Sequence, residues 1–187
     1  MSRPPGSLLV TLEDALTPAE LDAITAYGDR LARQKASLGK GDAQNDAIRV
    51  TRVAWIERNA ETAPFYARIE EIVLDLNARF YHYDLFGLTE SLQFTIYEGA
   101  EGGHYDWHID HGESVEPRKL SLSIQLSDAE SYEGCELQLW AGNAVTTANK
   151  KRGTVICFPS YILHRVTPVT SGTRKSLVIW AAGPEFR

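Results

Sequence analysis

The feature that most restricts how this chain can fold is a change of hydrophobic period near Gly87. Before it, Leu21, Ile24, Tyr27 and Leu31, and again Ile69, Ile72, Val73, Leu76 and Phe80, recur three and four residues apart, which predicts two amphipathic helices. Thr17-Pro18-Ala19-Glu20 carries an N-cap, a proline at the first helical position and a capping-box glutamate, so the first helix should start there. Beyond Gly87 the period is two. Leu92, Phe94 and Ile96 alternate with Gln93, Thr95 and Tyr97, and Leu120, Leu122, Ile124 and Leu126 with Ser121, Ser123, Gln125 and Ser127. A strand with one polar face either meets water or lines a polar cavity.

Further strands are expected at residues 8–12, 48–56, 136–140, 154–158, 161–166 and 174–180. Helices first and then about eight short strands predict a mainly β chain, a sandwich or barrel with helices packed outside. The 187 residues suit one domain. With 19 Lys+Arg against 25 Asp+Glu, the net charge of −6 offers no general attraction to nucleic-acid phosphates or anionic lipid. The N-terminal residues lack the apolar core of a signal peptide, no run approaches the length of a membrane span, and Cys135 and Cys157 lack metal-site spacing. The expectation is a cytoplasmic protein with no membrane and no nucleic-acid partner. Residues 39–46 have no periodicity and read as a loop, either a lid or plain surface.

Chemistry concentrates in Gly102-Gly103-His104-Tyr105-Asp106-Trp107-His108-Ile109-Asp110-His111. In an extended strand His108 and Asp110 point the same way. A lone His-x-Asp is common by chance, but with His164 as third ligand the set becomes two histidines and a carboxylate, the pattern of non-haem Fe(II) oxygenases. His104 and His108 share the spacing of a helical zinc site, yet Asp106 does not occupy the glutamate position and the glycine pair opposes a helix. His82 and His111 read as surface or supporting residues. If residues 167–173 form a hairpin turn, His164 pairs near Ser176 and Val166 near Arg174, placing Arg174 diagonally from His164. A guanidinium there suits an anionic cosubstrate that chelates the metal at one end, a shape that 2-oxoglutarate has. A slip of one residue would instead put Arg174 in solvent, and parity alone leaves both readings open.

Tyr97-x-Gly99, His108-x-Asp110, Gly134 ahead of Glu136-Leu137, Gly153 leading into Phe158-Pro159-Ser160, and His164 with Arg174 ten positions on and Trp180 six further resemble a known family. It is the Fe(II)/2-oxoglutarate dioxygenases of the prolyl 4-hydroxylase-like class, particularly bacterial PKHD-type hydroxylases, over roughly residues 88 to 182. The resemblance implies a double-stranded β-helix, or cupin-like jelly roll, at residues 88–187, with N-terminal helices and strands of residues 1–87 supporting one sheet. It implies iron on His108, Asp110 and His164, the distal carboxylate of 2-oxoglutarate on Arg174, and Tyr97 bonded to the cosubstrate. Trp180 falls at the site's edge, and Gln125 stands where some relatives carry a cosubstrate-binding tyrosine; Cys135 replaces the second glycine of a Gly-Gly pair. Cofactors so implied are Fe(II), 2-oxoglutarate and O2, with ascorbate as a further candidate. Activity would be hydroxylation of an unactivated C–H bond in a prolyl or other residue of a peptide or protein, or in a free amino acid or small metabolite, releasing succinate and CO2. The retained carboxylate ligand favours hydroxylation over halogenation. Two alternatives stand beside it, a jelly-roll binding module without turnover and a nucleic-acid base oxygenase.

Overall fold

A computed structural model describes residues 8–36, 45–111, 116–140 and 143–185, so most of the 39–46 loop lies outside the described residues. In chain order the elements are β1 (Val10–Leu12), α1 (Pro18–Arg30), β2 (Gln34–Lys35), β3 (Arg49–Val50), β4 (Arg52–Ile56), α2 (Ala63–Leu76), β5 (Leu92–Glu98) and β6 (His104–His108). There follow β7 (Arg118–Gln125), β8 (Tyr132–Gly134), β9 (Leu137–Leu139), β10 (Thr146–Thr147), β11 (Val155–Pro159), β12 (His164–Val166) and β13 (Val169–Ala182). One sheet runs β1-β11-β7-β13-β5-β4-β2, with β8 on the start of β13; the other runs β10-β9-β12-β6-β3. Two antiparallel sheets joined in this order form the expected jelly roll, mostly β with its helices on one sheet.

Helix α1 starts where local chemistry says it must. The Thr17 hydroxyl accepts from Glu20 N (3.2 Å) while the Glu20 carboxylate accepts from Thr17 N (2.7 Å). Leu21 and Ile24 are buried with Tyr27 and Leu31 half-buried, as their spacing requires. In α2, Ile69, Ile72, Val73 and Leu76 form the inner face, but the α-helix ends at Leu76 and Phe80 beyond it is only partly buried against the same core. Asn77–Tyr81 is a π turn, whose wider winding brings Tyr81 inward instead, its hydroxyl 2.7 Å from the Cys157 carbonyl.

The two faces of the larger sheet have different fates. Phe94, Ile96, Leu122, Ile124, Leu177 and Ile179 pack with both helices in one apolar core. Gln93, Thr95, Ser121, Ser123, Gln125 and Ser176 are also buried, so the polar faces meet a cavity between the sheets and not bulk water. Gly28 is where α1 presses on β5: a methyl there would lie 2.5 Å from Phe94 Cδ2. Gly28→Ala should therefore destabilise the fold by roughly 1–3 kcal/mol of overpacking, less whatever alanine returns in helix propensity. A urea unfolding midpoint equal to that of the parent protein would show that helix and sheet separate easily there.

Two sequence expectations need correction. The strand expected at 48–56 is broken at Thr51: Arg49 and Val50 pair with β6, whereas Arg52 to Ile56 pair with β5. The chain changes sheets at that residue, and unbroken β-favouring residues on either side hide the corner. The hairpin expected after His164 does not form. β12 lies between β9 and β6, β13 lies between β5 and β7, and Ser176 pairs with Thr95 and Gln125. Residues 167 and 168 carry the chain across from one sheet to the other, Thr167 N bonding Glu136 O and Val169 N bonding Gly103 O (both 2.9 Å), and residues 169–173 are already strand. Cys135 itself has a left-handed backbone, at φ 52, beside Gly134 at φ 70, a conformation that glycine adopts more readily.

Candidate active site

Strand pairing creates the first half of the site. His164 on β12 lies opposite His108 on β6, so the two rings stand 4.1 Å apart. Asp110 arrives differently from the expected strand alternation, because β6 ends at His108. Its N–H donates to Ser160 O (2.9 Å), and Ser121 Oγ donates to Asp110 Oδ2 (2.6 Å). Asp110 oxygens then sit 3.8 Å from His108 Nε2 and 3.6 Å from His164 Nε2, and one donor atom from each of the three residues falls within 4.8 Å of the others.

Those rings are oriented for ligation. His108 Nδ1 lies 2.7 Å from Asp106 O and His164 Nδ1 lies 2.9 Å from Ile162 O. A carbonyl only accepts, so both Nδ1 atoms carry hydrogen and both Nε2 lone pairs face the cluster. Tyr105 stacks on His108 at 3.4 Å, and Phe158 meets the His164 ring edge-on at 4.8 Å, which locks both rings. Burial, reinforced by the neighbouring His164, pushes the His108 imidazole down to about 3, leaving it neutral at neutral pH. For Asp110 burial acts in the raising direction, yet His164, His108, the Ser121 hydroxyl and Trp180 outweigh it and hold the carboxyl below its ordinary value. Two imidazoles and one carboxylate facing a common point are a donor set for one divalent ion.

Arg174 supplies the second half. It is the largest fully buried side chain among the described residues, at 1% exposure. Its Nε donates to Gln125 Oε1 (3.0 Å), while Nη2 is buried with no hydrogen-bond partner among the described residues. A guanidinium so desolvated is costly unless an acceptor completes it. Arg174, Ser176, Val178 and Trp180 all line the same cavity of about 460 Å³ as the triad, so their shared face was inferred correctly although the pairing was not. Lys175, on the other face, binds Asp29 of α1 (2.7 and 2.6 Å).

Of the residues singled out from sequence, His108, Asp110, His164, Arg174, Tyr97 and Trp180 line the cavity. Tyr97 is 3% exposed with the Arg174 guanidinium 5.6 Å over its ring. Gln125 stands behind Arg174 and fixes its plane. His104 turns elsewhere, to Gly102 O (2.9 Å), and His111 is exposed at the rim. Sequence reasoning missed Tyr105, Ser121, Arg49 and the Arg118–Glu90 pair, in which Arg118 Nε donates to Glu90 Oε1 (2.6 Å) with its guanidinium 3.6 Å over Trp180. The serine lay in plain view on a polar strand face; Arg49 sat inside an apolar run that looked like ordinary strand.

A jelly roll with two histidines, one carboxylate and a buried guanidinium in one cavity has the form of a non-haem Fe(II) oxygenase. Comparison with known proteins agrees. Residues 92–182 match the family model of the 2OG-Fe(II) oxygenase superfamily. A PKHD-type hydroxylase of Hyphomonas neptunium is 30% identical over 167 residues, which are 85% of this chain and 72% of that protein. Another, from Teredinibacter turnerae, is 39% identical over 85 residues, 42% of this chain and 38% of that one. Among solved structures, a prolyl hydroxylase from Trichoplax adhaerens in complex with a hypoxia inducible factor oxygen degradation domain peptide fragment shares the fold. It has a TM-score of 0.76 at 19% identity, covering 95% of this chain and 84% of that one. The chain belongs to the 2OG-Fe(II) oxygenase superfamily, among its PKHD-type hydroxylases, and is an oxidoreductase whose family uses Fe(II), 2-oxoglutarate and O2.

Proposed function

We propose that this chain hydroxylates an unactivated C–H bond in an amino-acid substrate, coupled to conversion of 2-oxoglutarate to succinate and CO2. The observation that carries this reading is the buried Arg174 Nη2, unpaired among the described residues, in the same cavity as the His108, Asp110 and His164 donors. In it, those three residues would hold iron, each offering one donor atom. Arg174 receives the distal carboxylate of 2-oxoglutarate, for which a planar fork is suited. Gln125 keeps that fork from rotating, and the Tyr97 hydroxyl donates to the cosubstrate. Trp180, pinned beneath Arg118, walls the cavity beside Asp110 and excludes water from it. When bound, iron and 2-oxoglutarate would supply the oxidising power for inserting one oxygen atom of O2 into the C–H bond, the other going to succinate.

The substrate reading is a prolyl or other residue of a peptide or protein, or a free amino acid or small metabolite. The fold it shares with the Trichoplax adhaerens prolyl hydroxylase, whose structure contains a peptide, supports the first. The test is an assay of purified protein with Fe(II), 2-oxoglutarate, O2 and ascorbate. Succinate should form slowly alone and faster with the true substrate, whose mass rises by one oxygen atom. Bound metal and 2-oxoglutarate without succinate, across every candidate, would leave a binding module in place of an enzyme.

A further inference from the structure

We infer that Arg49 is a second anion-binding position in the cavity and that it receives a carboxylate of the substrate, an assignment that rests on the hydroxylase reading above. Arg49 leaves β3, at the edge of the smaller sheet, two residues before the chain crosses to the larger one. Its Nη2 donates to Gln93 Oε1 on β5 (3.2 Å), so the side chain bridges the sheets. The guanidinium lies 4.4 Å over the Tyr105 ring, and Tyr105 in turn lies 3.4 Å from the His108 ring. One aromatic ring thus separates this cation from a metal-donor histidine.

Two facts show that the group awaits a ligand. Arg49 Nε is buried and has no hydrogen-bond partner, and no carboxylate pairs with Arg49, among the described residues. The neighbouring arginines are different: Arg52 pairs with Glu98 and Glu101, and Arg118 with Glu90. A buried guanidinium N–H with no acceptor is the kind of exception that calls for a missing partner.

Charge then says what that partner is. Arg49, Arg118 and Arg174 face the cavity against Glu90 and Asp110, and Glu90 is taken by Arg118. Ferrous ion and a 2-oxoglutarate dianion, placed with Asp110 and Arg174, make an electrically neutral group. Arg49 is left as the unbalanced positive charge of the cavity lining. A substrate bearing one carboxylate near the reacting carbon neutralises it, with Nε and a second N–H gripping both oxygens. The substrate class is therefore a free amino acid or similarly compact carboxylate, in preference to a neutral internal prolyl residue.

The experiment uses the Mn(II)- and 2-oxoglutarate-loaded protein without oxygen, titrated with free L-amino acids and with their amides as matched probes. Binding is read from the fluorescence of Trp55 and Trp180, which line the cavity. Succinate formation is measured in parallel with iron and oxygen. At least one free amino acid should bind about tenfold or more tightly than its amide. Arg49→Gln should reduce that preference to under about threefold, and Arg49→Lys should keep part of it because charge survives without the fork. Affinity for 2-oxoglutarate should stay within about threefold in both variants, well short of the loss expected for a broken buried charge pair. Equal behaviour of acids and amides throughout the panel, including no binding by either, overturns the inference. So does a loss of 2-oxoglutarate affinity in Arg49→Gln, which would give Arg49 to the cosubstrate. A preference that persists undiminished in Arg49→Gln likewise overturns it, whereas a preference that Arg49→Gln removes, with no succinate from the unaltered protein, would support Arg49 as the carboxylate site while overturning the hydroxylase reading.

Discussion

Asp110→Ala is expected to abolish succinate formation and to lower Mn(II) affinity by more than about a hundred-fold, since losing a mere supporting partner of a ligand already costs about 10–100-fold. Asp110 is the only carboxylate of the donor set, and the His108 imidazole beside it is held neutral by burial. His108→Ala and His164→Ala should likewise end turnover. Ser121→Ala should weaken the metal by about 10–100-fold, because it removes the 2.6 Å hydrogen bond that aims Asp110 Oδ2. His104→Ala and His111→Ala should leave metal binding intact, since neither contributes to the cluster. Free Mn(II) measured by electron paramagnetic resonance during titration reports affinity, with far-ultraviolet circular dichroism confirming that each variant is folded. Loss of metal in His104→Ala as complete as in His164→Ala would mean that the ligands are misassigned.

What could be read from the sequence was what is decided within a few residues. The Thr17–Glu20 capping box needs no partner beyond its own turn, and side-chain parity along β13 is a property of one strand, so Arg174, Ser176, Val178 and Trp180 were correctly placed on one face. The polar face of β5 and β7 was visible too, although alternation cannot tell a wet surface from a polar cavity. Events set by distant residues were hidden. Thr167 and Pro168 look like a turn, and only the competing offers of β5, β7 and β8 send β13 to the other sheet. The corner at Thr51 and the π turn at Asn77–Tyr81 interrupt patterns that continue unbroken in the letters. The three donor residues could be named from the sequence; their geometry could not, since Asp110 reaches the cluster through Ser160 and Ser121 and not through strand alternation.

Arg174→Ala should lower affinity for 2-oxoglutarate by about thirty-fold to several thousand-fold, corresponding to roughly 2–5 kcal/mol for a desolvated charge pair. The range is wide because the cost depends on how dry the pair is, and at 1% exposure Arg174 belongs toward its upper end. The structure changes the reason for the choice of residue. Arg174 was placed beside His164 as a neighbour on one sheet, whereas it faces the donor cluster from the opposite sheet, across the cavity that a two-ended ligand would span. Arg174→Lys should be intermediate, since an ammonium keeps the charge and loses both the fork and the bond to Gln125. Gln125→Ala should cost less, about 1 kcal/mol or a fewfold in affinity, because it frees the guanidinium to rotate without removing it. Lys175→Ala should change affinity by less than about threefold, its half-exposed amine being engaged with Asp29 on the helix side of the sheet. Titration of 2-oxoglutarate into the Mn(II) forms under anaerobic conditions separates these cases without turnover. Were Lys175→Ala to prove the damaging change and Arg174→Ala the silent one, the unpaired Nη2 would have to be filled by something other than the cosubstrate, and the pocket would need a different occupant.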